Sequence, residues 1–266
     1  MKLVSANKTQ IPERITPGTT DWVKYEYEHR QRYAHFAHRC QDLVVLDAAC
    51  GIGYGSSMLV DAGAAKVVGI DLSREAINYA NQYFANPSSH FLACDVLKNP
   101  LADRSFDAVV SFETIEHVSN PSSFVAEVAR VLKIGGIFIC STPNKHYRYR
   151  GSVQNPYHQH EMSYDEFTDA FTSIFDIEEI FHQSPSEHYR RHLQLIEDIQ
   201  ILSKPMSWSM LLRIENALRV CLKRHPWPKH TISPLTTRVI PGDYMIEQIT
   251  NPCNNHLTFI LVGRLR

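Results

Sequence analysis

Leu43-Val44-Val45-Leu46-Asp47-Ala48-Ala49-Cys50-Gly51-Ile52-Gly53-Tyr54-Gly55-Ser56 is the stretch that decides the fold. The apolar run Leu43 to Leu46 has the pattern of a short buried strand, Asp47 closes it, and closely spaced glycines follow. Glycines at that point let the backbone turn sharply and let a ligand approach main-chain atoms. The residues after the loop predict a helix through Ser56 to Ala62, with Gly63 as its stop signal.

Downstream, the same alternation repeats. Lys66 to Ile70 (KVVGI) reads as a second strand ending in Asp71, and Ser73 can cap a helix from Arg74 to Phe84, with Pro87 beyond its end. His90 to Ala93 is a third strand ending at Cys94-Asp95, and Phe106 to Phe112 a fourth, followed by Glu113. Pro121 and Ser122 open a helix to Leu132, and Gly135-Gly136 turns the chain into a fifth strand, Ile137 to Ser141. Strand–helix alternation predicts a Rossmann-like α/β fold with a doubly wound, mostly parallel sheet and right-handed crossovers. The continuous apolar strands fit burial on both faces.

On the amino-terminal side, Met1 to Thr20 is polar and carries Pro12 and Pro17-Gly18, the composition of an irregular arm. Trp22, Tyr25, Tyr33, Phe36 and Ala37 recur at helical spacing between Asp21 and Cys40. Beyond Pro143, Asn144 to Met162 is aromatic, basic and histidine-rich; Ser163 to Phe171 predicts a helix and Phe175 to Phe181 a strand. Glu187 to Leu202 and Ser207 to Arg224 predict two more helices, and Tyr244 to Ile249 with Leu257 to Gly263 an antiparallel hairpin that ends the sheet. Four segments result: 1–40, an arm and aromatic helix covering the site; 41–183, the core; 184–240, a helical insertion acting as substrate lid or homodimer contact; and 241–266, the closing hairpin.

The bulk figures agree with one large α/β unit plus an appendage: 266 residues, 44% hydrophobic and 21% charged. A formal net charge of -1 gives no basic field for nucleic acid. The cysteines, Cys40, Cys50, Cys94, Cys140, Cys221 and Cys253, are scattered with no CxxC pair, so neither a zinc site nor a disulfide framework is expected. The start MKLVSANKTQ lacks the apolar core of a signal peptide, and no apolar run approaches the ~20 residues of a membrane span. A cytoplasmic protein is the expectation.

Two ligand classes compete for the carboxyl edge of such a sheet. A dinucleotide asks for GxGxxG, and the third glycine position holds Ser56. Asp47 immediately before the loop would repel a pyrophosphate, whereas a cationic amino-acid tail would be welcomed there. Asp71 at the end of the second strand can accept from both ribose hydroxyls. These features favour a ligand carrying an amino group and a sulfonium over a dinucleotide, and a dehydrogenase stands as the fold-level alternative.

The runs VVLDAACGIGYGS, VVGIDLSREAINYA, CDVLKNPLADRSFDAVVSFETIEHV and EVARVLKIGGIFICSTPN together resemble the class I S-adenosylmethionine-dependent methyltransferases, from Leu43 to about Asn144. One departure is Ala49, where the family pattern usually has its first glycine. The resemblance implies S-adenosylmethionine as cofactor. It places Asp47, Gly51 and Gly53 along the methionine part, Asp71 on the ribose and Leu72 against the adenine. It further places Asp95 at the adenine amino group with Val96 beside it, and Phe112 and Glu113 at the border of the transfer site. Glu13 to Gly18, Glu28-His29-Arg30 and Asn155 to Met162 resemble bacterial methyltransferases of glycan and sugar biosynthesis.

The acceptor is therefore expected to be a small molecule or glycan, methylated on an oxygen of a sugar. The alternatives are a lipid, quinone or phenolic acceptor, and a cofactor-binding module without catalysis. A sugar hydroxyl needs a base, or a metal that lowers its pKa. His158, His160 and Glu161, in the loop after the fifth strand, are the acceptor-side candidates, with His117 in Glu116-His117-Val118 as another. No metal site is assigned, because two spaced histidines and one carboxylate are not a diagnostic ligand set.

Overall fold

The computed structural model describes residues 20–147, 155, 157–186, 244–249 and 258–266, with side chains from Tyr27 onward. The arm, the 187–243 segment with both of its expected helices, and the cysteines Cys221 and Cys253 lie outside the described residues.

The helix α1 spans Thr20–Phe36 and tightens into a 3₁₀ turn at Ala37–Cys40. Then strands and helices alternate except between β3 and β4, which no helix separates: β1 Val44–Ala48, α2 Tyr54–Asp61, β2 Lys66–Asp71, α3 Arg74–Tyr83, β3 Ser89–Ala93, β4 Phe106–Phe112, α4 Pro121–Val131, β5 Leu132–Pro143, α5 Tyr164–Thr172 and β6 Phe175–Pro185. β7 Tyr244–Gln248 and β8 Thr258–Leu265 complete the chain. The helix starts follow side-chain chemistry: the Ser73 hydroxyl accepts from the Ala76 amide at 3.1 Å, Asn120 caps α4 ahead of Pro121, and Ser163 with Glu166 forms a capping box on α5.

The strands form one sheet in the order β3-β2-β1-β4-β5-β8-β6-β7. The first five positions pair in parallel, and β8, β6 and β7 run antiparallel. Alternate residues feed two cores. Leu46 and Val109 pack with Phe124, Val128, Phe167 and Phe171 on one face, while Val45 and Val110 pack with Tyr33, Phe36 and Leu59 on the other.

The end of the sheet corrects one expectation. The two last strands complete the sheet, but they do not pair as a hairpin: β6 lies between them. The residues explain the placement. β8 (TFILVGRL) is buried at every position but Arg264, so it needs a partner on each side and finds β5 and β6. β7 (YMIEQ) is mostly exposed or half-buried and takes the edge. Among the described residues, Cys40, Cys50, Cys94 and Cys140 are free thiols, and no helix is long and apolar enough to cross a membrane.

Candidate active site

The parallel strands bring their carboxyl ends to one edge of the sheet, the place where open α/β sheets hold ligands. After β1 the chain turns through left-handed backbone at Ala49 (φ 65°), Gly51 (φ 56°) and Gly53 (φ 87°). A Cβ added at Gly51 would meet nothing within 4 Å, so the loop presents open main chain there. Asp71 holds that loop: its carboxylate accepts from the Gly51 amide at 3.0 Å and the Ser73 amide at 2.8 Å. Leu72 beside it is 74% exposed, an apolar side chain with no core to cover it. Asp95 is exposed and accepts from the Leu97 amide at 2.9 Å in a tight turn, with Val96 half-buried next to it.

Asp47, placed by the resemblance along the methionine part, closes β1 beneath this loop. It is fully buried, and its oxygens accept from the Tyr33 hydroxyl at 2.9 Å and the Ser56 hydroxyl at 2.6 Å. Ser56, standing where a dinucleotide loop has its third glycine, is thus a partner for that carboxylate. Burial pushes the Asp47 carboxyl up to about 6 despite the two donors. Tyr33 also explains Gly55: a Cβ there would sit 2.1 Å from the Tyr33 ring. The same ring meets Phe112 edge-on at 4.9 Å, which sets α1 against the end of β4.

Glu113 follows β4 in the left-handed region (φ 53°). Its amide donates to the Ser141 carbonyl at 3.2 Å, and the Ser141 hydroxyl donates to its carboxylate at 2.6 Å. Arg32, 1% exposed, lies 3.9 Å from that carboxylate.

The histidine-rich loop returns across this edge. The Glu116 carbonyl accepts from the Gln159 amide at 2.7 Å and the His160 amide at 3.1 Å. His158 thereby comes beside His117, with ring centroids 4.8 Å apart and planes at 78°. His158 Nδ1 lies 2.9 Å from Glu161 Oε1, and His117 Nδ1 lies 3.1 Å from the Tyr157 carbonyl. His160 is not part of this group: its ring is exposed and turned to the Ser119 carbonyl at 3.2 Å.

Two residues of the site were missed in the sequence. Glu116 is 0% exposed, its Oε2 accepting from Thr142 at 3.2 Å, and burial with the nearby Glu113 charge holds its carboxyl well above the usual range. Arg32 sits one residue before Tyr33 and was hidden by the aromatic pattern. For Arg32 the signal was a charge at a position that helical periodicity places inside; Glu116, in the turn after β4, carried no periodic signal.

The family described as "Methyltransferase domain" matches residues 46–140. A Mycolicibacterium smegmatis protein named a probable S-adenosylmethionine-dependent methyltransferase is 34% identical over 176 residues, 64% of this chain and 67% of its own length. The chain belongs to the class I S-adenosylmethionine-dependent methyltransferases. Among the methyltransferase's other relatives, the mitochondrial ubiquinone biosynthesis O-methyltransferase of Dictyostelium discoideum is 37% identical over 117 residues, 40% of this chain and 36% of that one. The crystal structure of an S-adenosylmethionine-dependent methyltransferase from Mesorhizobium loti superposes with a TM-score of 0.54 at 17% identity, over 93% of this chain and 98% of that chain, a likeness of fold. The chain thus spans about two thirds of the first curated relative and about a third of the second. S-adenosylmethionine is the cofactor, and the residues present fit it: open backbone at Gly51, a carboxylate fixed by two amides at Asp71 and an apolar surface at Leu72.

Proposed function

We propose that this methyltransferase methylates a hydroxyl oxygen of a small-molecule acceptor, a sugar hydroxyl in the first reading. The observation that carries it is the hydrogen-bonded pair of His158 and Glu161, 2.9 Å apart, set against His117 at the carboxyl edge of the sheet. A carboxylate or phosphate acceptor would need no such group, whereas a sugar hydroxyl keeps its proton near neutral pH unless a base or a cation acts on it.

S-adenosylmethionine, when bound, supplies an electrophilic methyl carbon; the chain's work is to position and deprotonate the acceptor. In this reading Gly51 and Gly53 admit the methionine part to the main chain, Asp71 accepts from the ribose hydroxyls, and Leu72, Asp95 and Val96 border the adenine. Asp47 acts as a positioning residue, bracing the loop between Tyr33 and Ser56. Phe112 and Glu113 border the transfer site, and α1 with the preceding arm covers it. The 184–240 segment serves as lid or homodimer contact, and the protein works in the cytoplasm.

A second reading is a quinol or phenolic hydroxyl, favoured by the name of the Dictyostelium relative. The test is methyl transfer from labelled S-adenosylmethionine to a panel of glycosides, nucleotide sugars, quinols and phenols. Turnover on a hydroxyl acceptor is expected, with His158→Ala lowering it roughly 10²–10⁴-fold while cofactor affinity stays near wild type. Unchanged turnover in His158→Ala removes that residue from the chemistry. Cofactor binding without transfer to any acceptor would instead make the chain a non-catalytic module.

A further inference from the structure

The side-chain cluster at the end of β4 carries more than a base. Glu116, His117 and His158 each offer a ligand atom, and these atoms lie within 4.8 Å of one another. Glu116 Oε1 and His117 Nε2 are 3.9 Å apart. Nitrogen and oxygen ligands bonded at about 2.1 Å to a tetrahedral cation stand about 3.4 Å from each other. That pair therefore needs to close by only about half an ångström.

The decisive atom is Glu116 Oε1. It is buried and accepts no hydrogen bond, while its partner Oε2 is taken by Thr142. A carboxylate oxygen left so is costly unless a cation or a proton answers it. Arg32 is the nearby fixed cation, but its Nη1 donates to Gln183 at 2.6 Å and stands 3.9 Å from the other carboxylate, Glu113. Two carboxylates thus share one guanidinium.

The supporting shell has the form that metal-binding imidazoles use. A ligating histidine turns its other ring nitrogen to a carbonyl or a carboxylate, which fixes the tautomer. His117 Nδ1 faces the Tyr157 carbonyl, which places the lone pair on Nε2, the nitrogen nearer Glu116. His158 Nδ1 faces the Glu161 carboxylate. Asn155 Nδ2, 2.9 Å from His158 Nε2, is the group that a bound cation would displace.

We propose that Glu116, His117 and His158 form a binding site for one divalent first-row cation, whose open position takes the acceptor hydroxyl. Two imidazoles and one carboxylate suit zinc, manganese, iron or cobalt better than magnesium or calcium. Three protein ligands leave room for a water or an acceptor oxygen. The cation lowers the pKa of the hydroxyl bound to it, so that its O–H bond breaks with the electron pair kept on oxygen and the proton passing to water. This rests on the hydroxyl-acceptor reading above and refines it: the cation acidifies the acceptor, and His158 anchors the cation.

The test uses the full chain, stripped with a chelator. Mn²⁺ binding is followed by the loss of its free-ion paramagnetic resonance signal, and Zn²⁺ binding by equilibrium dialysis. One ion per chain is expected, bound at least tenfold more weakly in Glu116→Gln and in His117→Gln. Glu161→Gln, which alters the carboxylate that faces His158 Nδ1, should weaken binding about 10–100-fold. Calorimetry with S-adenosylmethionine on the same samples should give the wild-type affinity in every variant. If Glu116→Gln does not fold, the half-buried His158→Asn takes its place. Absence of stoichiometric Mn²⁺ and Zn²⁺ binding, or wild-type ion affinity in Glu116→Gln, overturns the site. A chain that binds the ion but methylates no hydroxyl acceptor sinks the function and leaves the metal site standing, so the two failures are distinguishable.

Discussion

Gly51 and Gly53 belong to one motif but do different work. Both have positive φ, a conformation that costs an L side chain roughly 1–2 kcal/mol. At Gly51 a Cβ would point into open space; at Gly53 it would lie 2.7 Å from Ala80 Cβ and 2.8 Å from the Phe91 ring. Gly51→Ala should therefore lose about 1 kcal/mol of stability, and its added methyl should cost at least about tenfold in S-adenosylmethionine affinity. Gly53→Ala should lose more stability, about 3 kcal/mol, because strain and overpacking add. Urea unfolding and calorimetry check the contrast; equal losses of stability in the two variants would refute it. The loop was legible because glycine announces such turns. Ala49 and Glu113 adopt the same left-handed backbone with ordinary side chains, so nothing in their identity discloses it. Asp47 was legible as the residue that closes β1 but not as a buried one. Its carboxyl is raised from 3.8 to about 6, so the folded state takes up the proton first as pH falls. Stability contributed by Asp47 therefore rises on acidification from about pH 7 towards pH 4 and is level above that window. Unfolding free energies of the wild type relative to Asp47→Asn, measured across that range, should follow this slope; a flat difference would mean that Asp47 titrates as an ordinary carboxylate.

At the scale of elements, α1 is held by polar contacts that reach far along the chain as well as by the core packing of Tyr33 and Phe36. Arg32 donates to Gln183 of β6, and Gln183 donates in turn to the Glu28 carbonyl at 3.1 Å and to Gln31 at 2.7 Å. Tyr33 reaches Asp47 of β1. The sequence disclosed that this stretch is helical, because Tyr33, Phe36 and Ala37 keep a helical period. It did not disclose the partners, because a hydrogen bond between residues 151 positions apart leaves no periodic trace. The histidine loop is similar: the sequence placed it after the fifth strand, but which histidine turns inward depended on the amides of Gln159 and His160 donating to the Glu116 carbonyl. Arg32→Met removes the cation that Glu113 and Glu116 share and leaves Gln183 Oε1 without that donor. A loss of about 3–5 kcal/mol is expected, the range found when one partner of a buried pair is removed. Adding Glu113→Gln should recover part of it in a double-mutant cycle. Strict additivity of the two changes would show that the 3.9 Å pair carries no coupling.

The whole molecule turns on where the last strand goes. Alternation of strand and helix was enough to predict a parallel half of the sheet, because crossovers between parallel strands keep one handedness, although the connection from β3 to β4 passes β2 and β1 before the chain re-enters the sheet. It was not enough for the antiparallel end. A strand's periodicity says which faces are buried and is silent on which strands lie at its edges. Composition does carry that information: TFILVGRL is apolar almost throughout and sits between two neighbours, whereas YMIEQ is mixed and sits at the rim. The consequence is unequal tolerance of charge in two strands of the same sheet. Val262 of β8 is fully buried between β5 and β6, pairing with Ile139 on one side and Glu179 on the other. A carboxylate placed there is desolvated among apolar side chains, and Val262→Asp should abolish cooperative unfolding at room temperature. Met245 of β7 is 40% exposed, so Met245→Asp leaves its charge in water and should change stability by no more than about 0.5 kcal/mol. Thermal and urea unfolding of both variants beside the wild type separate the cases. If Val262→Asp unfolds cooperatively near the wild-type midpoint, β8 is not the central strand. If Met245→Asp falls as far as Val262→Asp, the edge of the sheet lies beyond β7.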